Sequence, residues 1–145
     1  MGDERLLAHV RREIWKMEHI ILLNLITKAQ TQKSPQLAER AVAALRWHSH
    51  MEALYFTVLA PEQIDIFEAD HEVIEHQALS WQKGLSDFGV GVLRESLRVH
   101  FEEEEEAVGK LASFRWTPTV EVWETVRTVG NGYHPTGRAK QKVSA

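Results

Sequence analysis

Residues 34–59 read SPQLAERAVAALRWHSHMEALYFTVL. Ser34 suits a helix N-cap, and Pro35 suits the first helical position, where its missing N–H costs nothing. No further glycine or proline interrupts the stretch. Ala38, Ala41, Leu45, His48, Glu52, Tyr55 and Leu59 recur at alternating threes and fours, so one face of a helix collects them all. That face is apolar except at its middle, where a histidine and a glutamate stand one turn apart. A helix with a polar step inside its buried stripe needs neighbours that carry a matching step.

The neighbours are present on both sides. Asp3 to Lys33 contains no glycine or proline and gives the stripe Trp15, His19, Leu22 and Ile26. Ala60-Pro61 restarts the chain, Glu62 suits a first helical turn, and a third helix runs to about Lys83 with Gly84 as its C′ residue. Its stripe is Phe67, His71, Ile74, Ala78, Trp81 and Leu85. Asp87 is the expected cap of a fourth helix over about Phe88 to Ala112, with the stripe Leu93, Leu97, His100, Glu104, Ala107 and Leu111. Four long helices joined by short turns make an all-α, up-down-up-down four-helix bundle over residues 1–112. Residues 113–145 form a C-terminal extension: Thr117-Pro118 opens a short fifth helix through Val129, followed by a mobile basic tail.

Composition narrows the function. The 145 residues are 43% apolar and 26% charged, as in an ordinary soluble domain with a real core. A net charge of −4 argues against a nucleic-acid partner held by bulk electrostatics. With no cysteine, disulfides, thiolate zinc sites, iron–sulfur clusters and cysteine nucleophiles are excluded. The charged, amphipathic first residues are unlike a signal peptide, and the apolar run Ile20–Ile26 is too short to span a bilayer. A cytoplasmic protein with no membrane partner is expected. No P-loop, dinucleotide fingerprint or nucleophilic serine elbow is present. What remains conspicuous is eight histidines.

Each stripe carries one histidine, and on helices two and four a glutamate follows it by one turn. Placing the turns near residues 32, 60 and 86 and climbing ~1.5 Å per residue brings His19 and His100 to ~20 Å and His48 and His71 to ~23 Å. Glu104 and Glu52 fall at ~26 and ~29 Å, and Glu75, on the descending third helix, at ~17 Å. These side chains converge on one level. Buried carboxylates and imidazoles cost several kcal/mol each when unpaired, a cost that a pair of metal ions removes. Imidazole with carboxylate and no thiolate suits iron, with manganese second, better than structural zinc.

The elements Met17-Glu18-His19-Ile20-Ile21, His48-x-x-x-Glu52, Asp70-His71-Glu72-Val73-Ile74 and His100-x-x-x-Glu104, in that order, resemble the hemerythrin family in its HHE cation-binding form. The resemblance covers roughly Glu4 to Ala112. It implies a non-haem di-iron centre that binds dioxygen, with Glu52 and Glu104 as bridging carboxylates and His19, His48, His71 and His100 as terminal ligands. Respiratory members carry a second histidine one turn after the one on helix three; here Glu75 stands there, with His76 beside it. A third carboxylate would favour ferric iron and turn the chemistry toward peroxide decomposition, of peroxidase or catalase type, or toward iron sensing. The respiratory aspartate five residues after the last histidine is replaced by Glu105. The implied partner is a small ligand such as dioxygen, peroxide or nitric oxide, with oxygen binding or sensing preferred.

Blander readings compete. The four histidines are equally of a kind that sits in a core bonded to carboxylates, which would leave a metal-free helical interaction module. Glu75 reads as ligand or as solvent-facing residue. Glu102, Glu103 and Glu106 read as a solvated acidic face, and His9, His50 and His134 as surface residues. Tyr55, Trp15 and Trp81 read as packing, and Trp47, Trp116 and Trp123 as holders of the extension or a partner surface. A ferritin-like site needs Glu-x-x-His twice, and the chain has it once, at Glu68–His71.

Overall fold

A computed structural model describes residues 2–111 and 114–116. It is all-α: α1 (Gly2–Gln32), α2 (Pro35–Tyr55), α3 (Pro61–Gly84) and α4 (Asp87–Gly109), with one 3₁₀ turn, Phe56–Val58, between α2 and α3. Helices α1 and α2, α2 and α3, α3 and α4, and α4 and α1 pack as neighbours, which closes an antiparallel four-helix bundle. The fifth helix expected over 117–129 and the basic tail lie outside the described residues. Among the described residues, no helix is long and apolar enough to cross a membrane.

The turns show why the helices stop where they do. At the end of α1, Lys33 takes a left-handed conformation (φ 49°), and the Ser34 N–H reaches the Ala29 carbonyl at 3.0 Å, closing a Schellman-type end. Ser34 then caps α2, its hydroxyl accepting from the Leu37 N–H at 3.1 Å. Helix two was expected to reach Leu59 but ends at Tyr55. Ala60 precedes Pro61 and is held extended (φ −64°, ψ 146°), so the chain tightens into a 3₁₀ turn that tucks Phe56 and Leu59 inside.

The α3–α4 turn corrects two expectations. Gly84 is the last helical residue, and Leu85 takes the left-handed position (φ 51°). That conformation is costly for a branched side chain. It is held because Leu85 is buried and its carbonyl accepts from Gln30 Nε2 at 2.9 Å and Lys33 Nζ at 3.0 Å. The cap of α4 is Ser86 instead of Asp87, its hydroxyl accepting from the Gly89 N–H at 2.9 Å. Gly89 suits the cap because a Cβ there would lie 2.8 Å from the Ser86 hydroxyl. Gln30 also donates to Asp87 and accepts from the buried Trp81 indole N–H at 2.8 Å, tying both turns of this end together.

The apolar interior forms two blocks. The larger, toward the 33/85 end, contains Leu22, Ile26, Leu45, Ile74, Trp81, Leu93 and Leu97. The smaller, at the opposite end, contains Ala8, Trp15, Phe56, Leu59, Phe67, Val108, Phe114 and Trp116. Phe114 and Trp116 are buried there, so the core draws on residues beyond the expected bundle limit at 112.

Candidate metal centre

Between the two blocks lies a belt of buried polar side chains: Glu18, His19, His48, Glu52, His100 and Glu104 are each at most 3% exposed. Helical periodicity delivers them. His19 lies one turn after Trp15 and His48 one turn before Glu52, and the same i, i+4 step joins His100 to Glu104. The four helices bring four imidazoles and two carboxylates to one place.

Glu52 and Glu104 sit at the middle. His48 Nε2 lies 2.8 Å and His19 Nε2 3.4 Å from Glu52 Oε2, and His71 Nε2 lies 2.9 Å from Glu52 Oε1. Glu104 Oε2 is 2.8 Å from His100 Nε2 and 3.2 Å from His71 Nε2. Two overlapping groups of potential metal ligands result, Glu52, His71, His100 and Glu104 in one and His19, His48 and Glu52 in the other, the donor atoms of each within 4.8 Å of one another. Glu52 belongs to both.

The outward nitrogens of three imidazoles are fixed by further carboxylates. His19 Nδ1 is 2.7 Å from Glu105 Oε2, His48 Nδ1 is 2.9 Å from Glu18 Oε1, and His100 Nδ1 is 3.0 Å from Asp70 Oδ2. A carboxylate accepts a proton from Nδ1, so each contact places N–H on the outside and directs Nε2 inward. Aromatic groups hold the rings from the sides. Phe101 stacks on His19 with 3.9 Å between centroids, and the Trp15 indole donates to Glu52 Oε2 at 2.9 Å. The Trp116 indole donates to Glu18 Oε2 at 2.8 Å.

The electrostatics follow. Burial opposes charge on His48, but Glu52 and Glu18 outweigh it and raise its pKa to about 10. Burial likewise opposes charge on His71, and its hydrogen bond to Glu104 together with the adjacent Glu52 carboxylate raises it to about 10. His100 is raised by Glu104 against its own burial. Burial would raise Glu52, yet His48, His19 and His71 hold it well below the ordinary carboxylate range. Without a metal the belt is therefore a network of buried cations and anions, an arrangement whose desolvation cost rivals its attraction.

The hydrogen bonding is incomplete in the way a metal would complete it. His48 Nε2, His100 Nε2, Glu52 Oε1 and Glu104 Oε1 are buried without a hydrogen-bond partner. The 2.8 and 2.9 Å approaches among these groups are close in distance, but no N–H is aimed along them. Native proteins leave few such atoms. Nitrogen and oxygen donors without thiolate are a set that first-row ions accept, so the residues could hold a metal ion.

Six of the seven expected ligands meet here; Glu75 does not. Its carboxylate lies 2.8 Å from Arg46 Nε on the outside of the bundle, with 43% of the side chain exposed. Ile74 takes the inward position on that turn, which leaves the next residue ~100° around the helix. Glu68, the carboxylate of the lone Glu-x-x-His, is also exposed, as are Glu102, Glu103, Glu106, His9 and His50. His134 and Trp123 lie outside the described residues.

Sequence reasoning missed Glu18, Asp70 and Glu105. A signal existed. Trp15–Glu18–His19–Leu22, Phe67–Asp70–His71–Ile74 and Phe101–Glu104–Glu105–Val108 all follow the pattern i, i+3, i+4, i+7, and a stripe one residue wide keeps only one of each middle pair. No protein-family model, curated protein or solved structure matches the chain.

Proposed function

We propose that this chain is a hemerythrin-like di-iron protein that binds dioxygen as a carrier or sensor. The observation that carries the proposal is the pair of ligand groups sharing Glu52, lined by four inward Nε2 atoms, three of them on imidazoles whose outward nitrogen is already bonded to a carboxylate. Such pre-orientation is characteristic of imidazoles that serve as metal ligands. His71, His100 and Glu104 would hold one ion, His19 and His48 the other, and Glu52 would serve both. A pair of ferrous ions held there would supply electrons to a small oxidant.

The chain's own groups do the rest. Glu52 and Glu104 would offset part of the ions' charge in a region flanked at both ends by the apolar blocks. Glu18, Glu105 and Asp70 hold a proton on Nδ1 of their histidines, so Nε2 is the nitrogen that would give up its proton to meet an ion. Trp15 offers a hydrogen-bond donor to Glu52 and holds that carboxylate in place. The reason for expecting peroxide decomposition was a third carboxylate at the centre, and Glu75 faces the other way. Reversible binding or sensing is therefore the better reading.

The test is metal analysis with a visible spectrum of protein purified without oxygen and then exposed to air. About two irons per chain, with new charge-transfer bands in air, support the proposal. His48→Ala and Glu104→Ala are expected to lose iron and bands together. A folded chain that takes up no metal under these conditions makes the belt a structural network and the protein an interaction module.

A further inference from the structure

One face of the bundle opens toward the belt. Between α2 and α3 runs a groove of about 540 Å³ whose lining includes Leu45, Arg46, Ser49, His71, Ile74 and Glu75. His71 belongs to this groove and to the candidate metal centre at once. Its Nε2 lies 2.9 Å from Glu52 and 3.2 Å from Glu104, and 14% of its side chain is exposed, against 2%, 1% and 3% for His19, His48 and His100. Those other three have a carboxylate on Nδ1; among the described residues His71 has none. One imidazole thus stands between solvent and the two buried glutamates. Outside it, Arg46 and Glu75 join α2 to α3 in a single ion pair at 2.8 Å. Trp47 stacks on His50 at the rim, with 5.7 Å between ring centroids.

We propose that this groove is the path by which small molecules of a few atoms, neutral or singly anionic, reach the centre, with the Arg46–Glu75 pair closing its mouth and His71 as its inner door. The volume accommodates a short file of waters, each of which fills about 30 Å³ in the liquid. An exposed ion pair contributes little to stability, so it opens readily. Removing Glu75 widens the mouth and leaves Arg46 as an unpaired cation that draws anions inward. The inference rests on the di-iron reading for what waits at the inner end; the path itself does not.

Two measurements separate those parts. The first needs no metal. The chain has no cysteine, so His71→Cys and His100→Cys each create a single thiol. In metal-free protein, iodoacetamide is expected to alkylate a thiol at position 71 at least tenfold faster than one at position 100. Adding Ser49→Trp, or Ala43→Trp on the exposed side of the same groove, should slow the reaction at 71 at least fivefold. The second uses iron-loaded protein and azide, followed by stopped-flow absorbance. Ser49→Trp is expected to slow azide binding at least fivefold and Glu75→Ala to speed it at least threefold, both with unchanged iron content. Equal alkylation at positions 71 and 100, or plugged variants that react as fast as the parent, would overturn the path. Loss of iron in Glu75→Ala would overturn it too, by returning Glu75 to the centre. A chain that takes up no iron at all refutes the di-iron reading, while the alkylation rates still decide the path.

Discussion

Replacing Glu18 by glutamine changes one buried oxygen into an NH₂ group and almost nothing in shape. In the parent, Glu18 Oε1 accepts a hydrogen bond from His48 Nδ1–H at 2.9 Å and Oε2 accepts one from the Trp116 indole N–H at 2.8 Å. Two donors thus face one carboxylate. Glutamine has a single acceptor oxygen, so one donor loses its partner and confronts another donor. If the oxygen turns to Trp116, the amide NH₂ favours a bare His48 Nδ1, and the imidazole proton moves to Nε2, the atom a metal must use. If it turns to His48, the tautomer survives but a buried indole N–H is orphaned. The first outcome weakens metal binding by about 10- to 100-fold, or about 1.4–2.7 kcal/mol, the usual effect of removing a carboxylate behind a ligating histidine. The second costs the metal-free fold about 1–3 kcal/mol. The assay is a competition titration against a coloured chelator beside urea unfolding of the metal-free form. Glu103→Gln, an exposed change in the acidic run, is the control and should alter neither. If Glu18→Gln matches the parent within threefold in affinity and within about 0.5 kcal/mol in stability, the carboxylate behind His48 has no orienting role.

Other consequences are as direct. Because His48 and His71 titrate near 10 without metal, both are cationic at pH 7 and must give up their protons to ligate; loading should release about two protons per chain, read from the dependence of binding heat on buffer ionisation. The metal-free protein should have its best pairing between about pH 4.5 and 6.5. Above 6.5 the two raised histidines lose their contribution as the pH approaches 10, and below 4.5 the depressed Glu52 loses its own, so urea midpoints that rise from pH 6.5 to 9 would contradict these pairings. Trp15→Phe keeps an aromatic side chain but removes the donor to Glu52 and part of the buried volume, and is expected to cost the metal-free fold at least about 1.5–3 kcal/mol by chemical denaturation.

The bundle was legible because its stripes and its punctuation agree. Ser34-Pro35 and Ala60-Pro61 mark two turns without ambiguity, and the i, i+4 pairs on α2 and α4 place four of the buried candidate ligands at once. Two kinds of detail were not legible. The first is whether a residue flanking a stripe still reaches the centre: the stripe puts Ile74 inward, but nothing in the local sequence shows that Glu75 beside it turns out to pair with Arg46, 29 positions away. The second is the partner of each histidine's outer nitrogen. Glu18 serves His48, Asp70 serves His100 and Glu105 serves His19, so each carboxylate sits beside a ligand on its own helix but binds one on another. Such cross-helix pairing depends on helix rotation, which periodicity fixes only to within one residue. The same limit explains the α3–α4 turn, where Leu85 takes the conformation a glycine would take more cheaply because Gln30 on α1 and Lys33 just after it hold its carbonyl.

The belt of charges also divides the interior into two apolar blocks of unequal size, and this bears on how the chain comes apart. Hydrophobic contact alone gives a single core its all-or-none melting; here the connection between the blocks passes through ion pairs that a metal would replace with coordinate bonds. The smaller block holds the early turns of α1 and the residues after α4, Ala8, Phe114 and Trp116 among them. It can loosen while the larger block, built around Leu22, Leu45, Trp81 and Leu97, stays closed. Backbone amides around Trp15 and Val108 in metal-free protein are then expected to exchange with solvent through a partial opening, at lower free energy than those around Leu22 and Leu93, as hydrogen exchange would measure. A metal bridging all four helices fuses the two openings into one, so the ion would set the cooperativity of this fold as well as its stability.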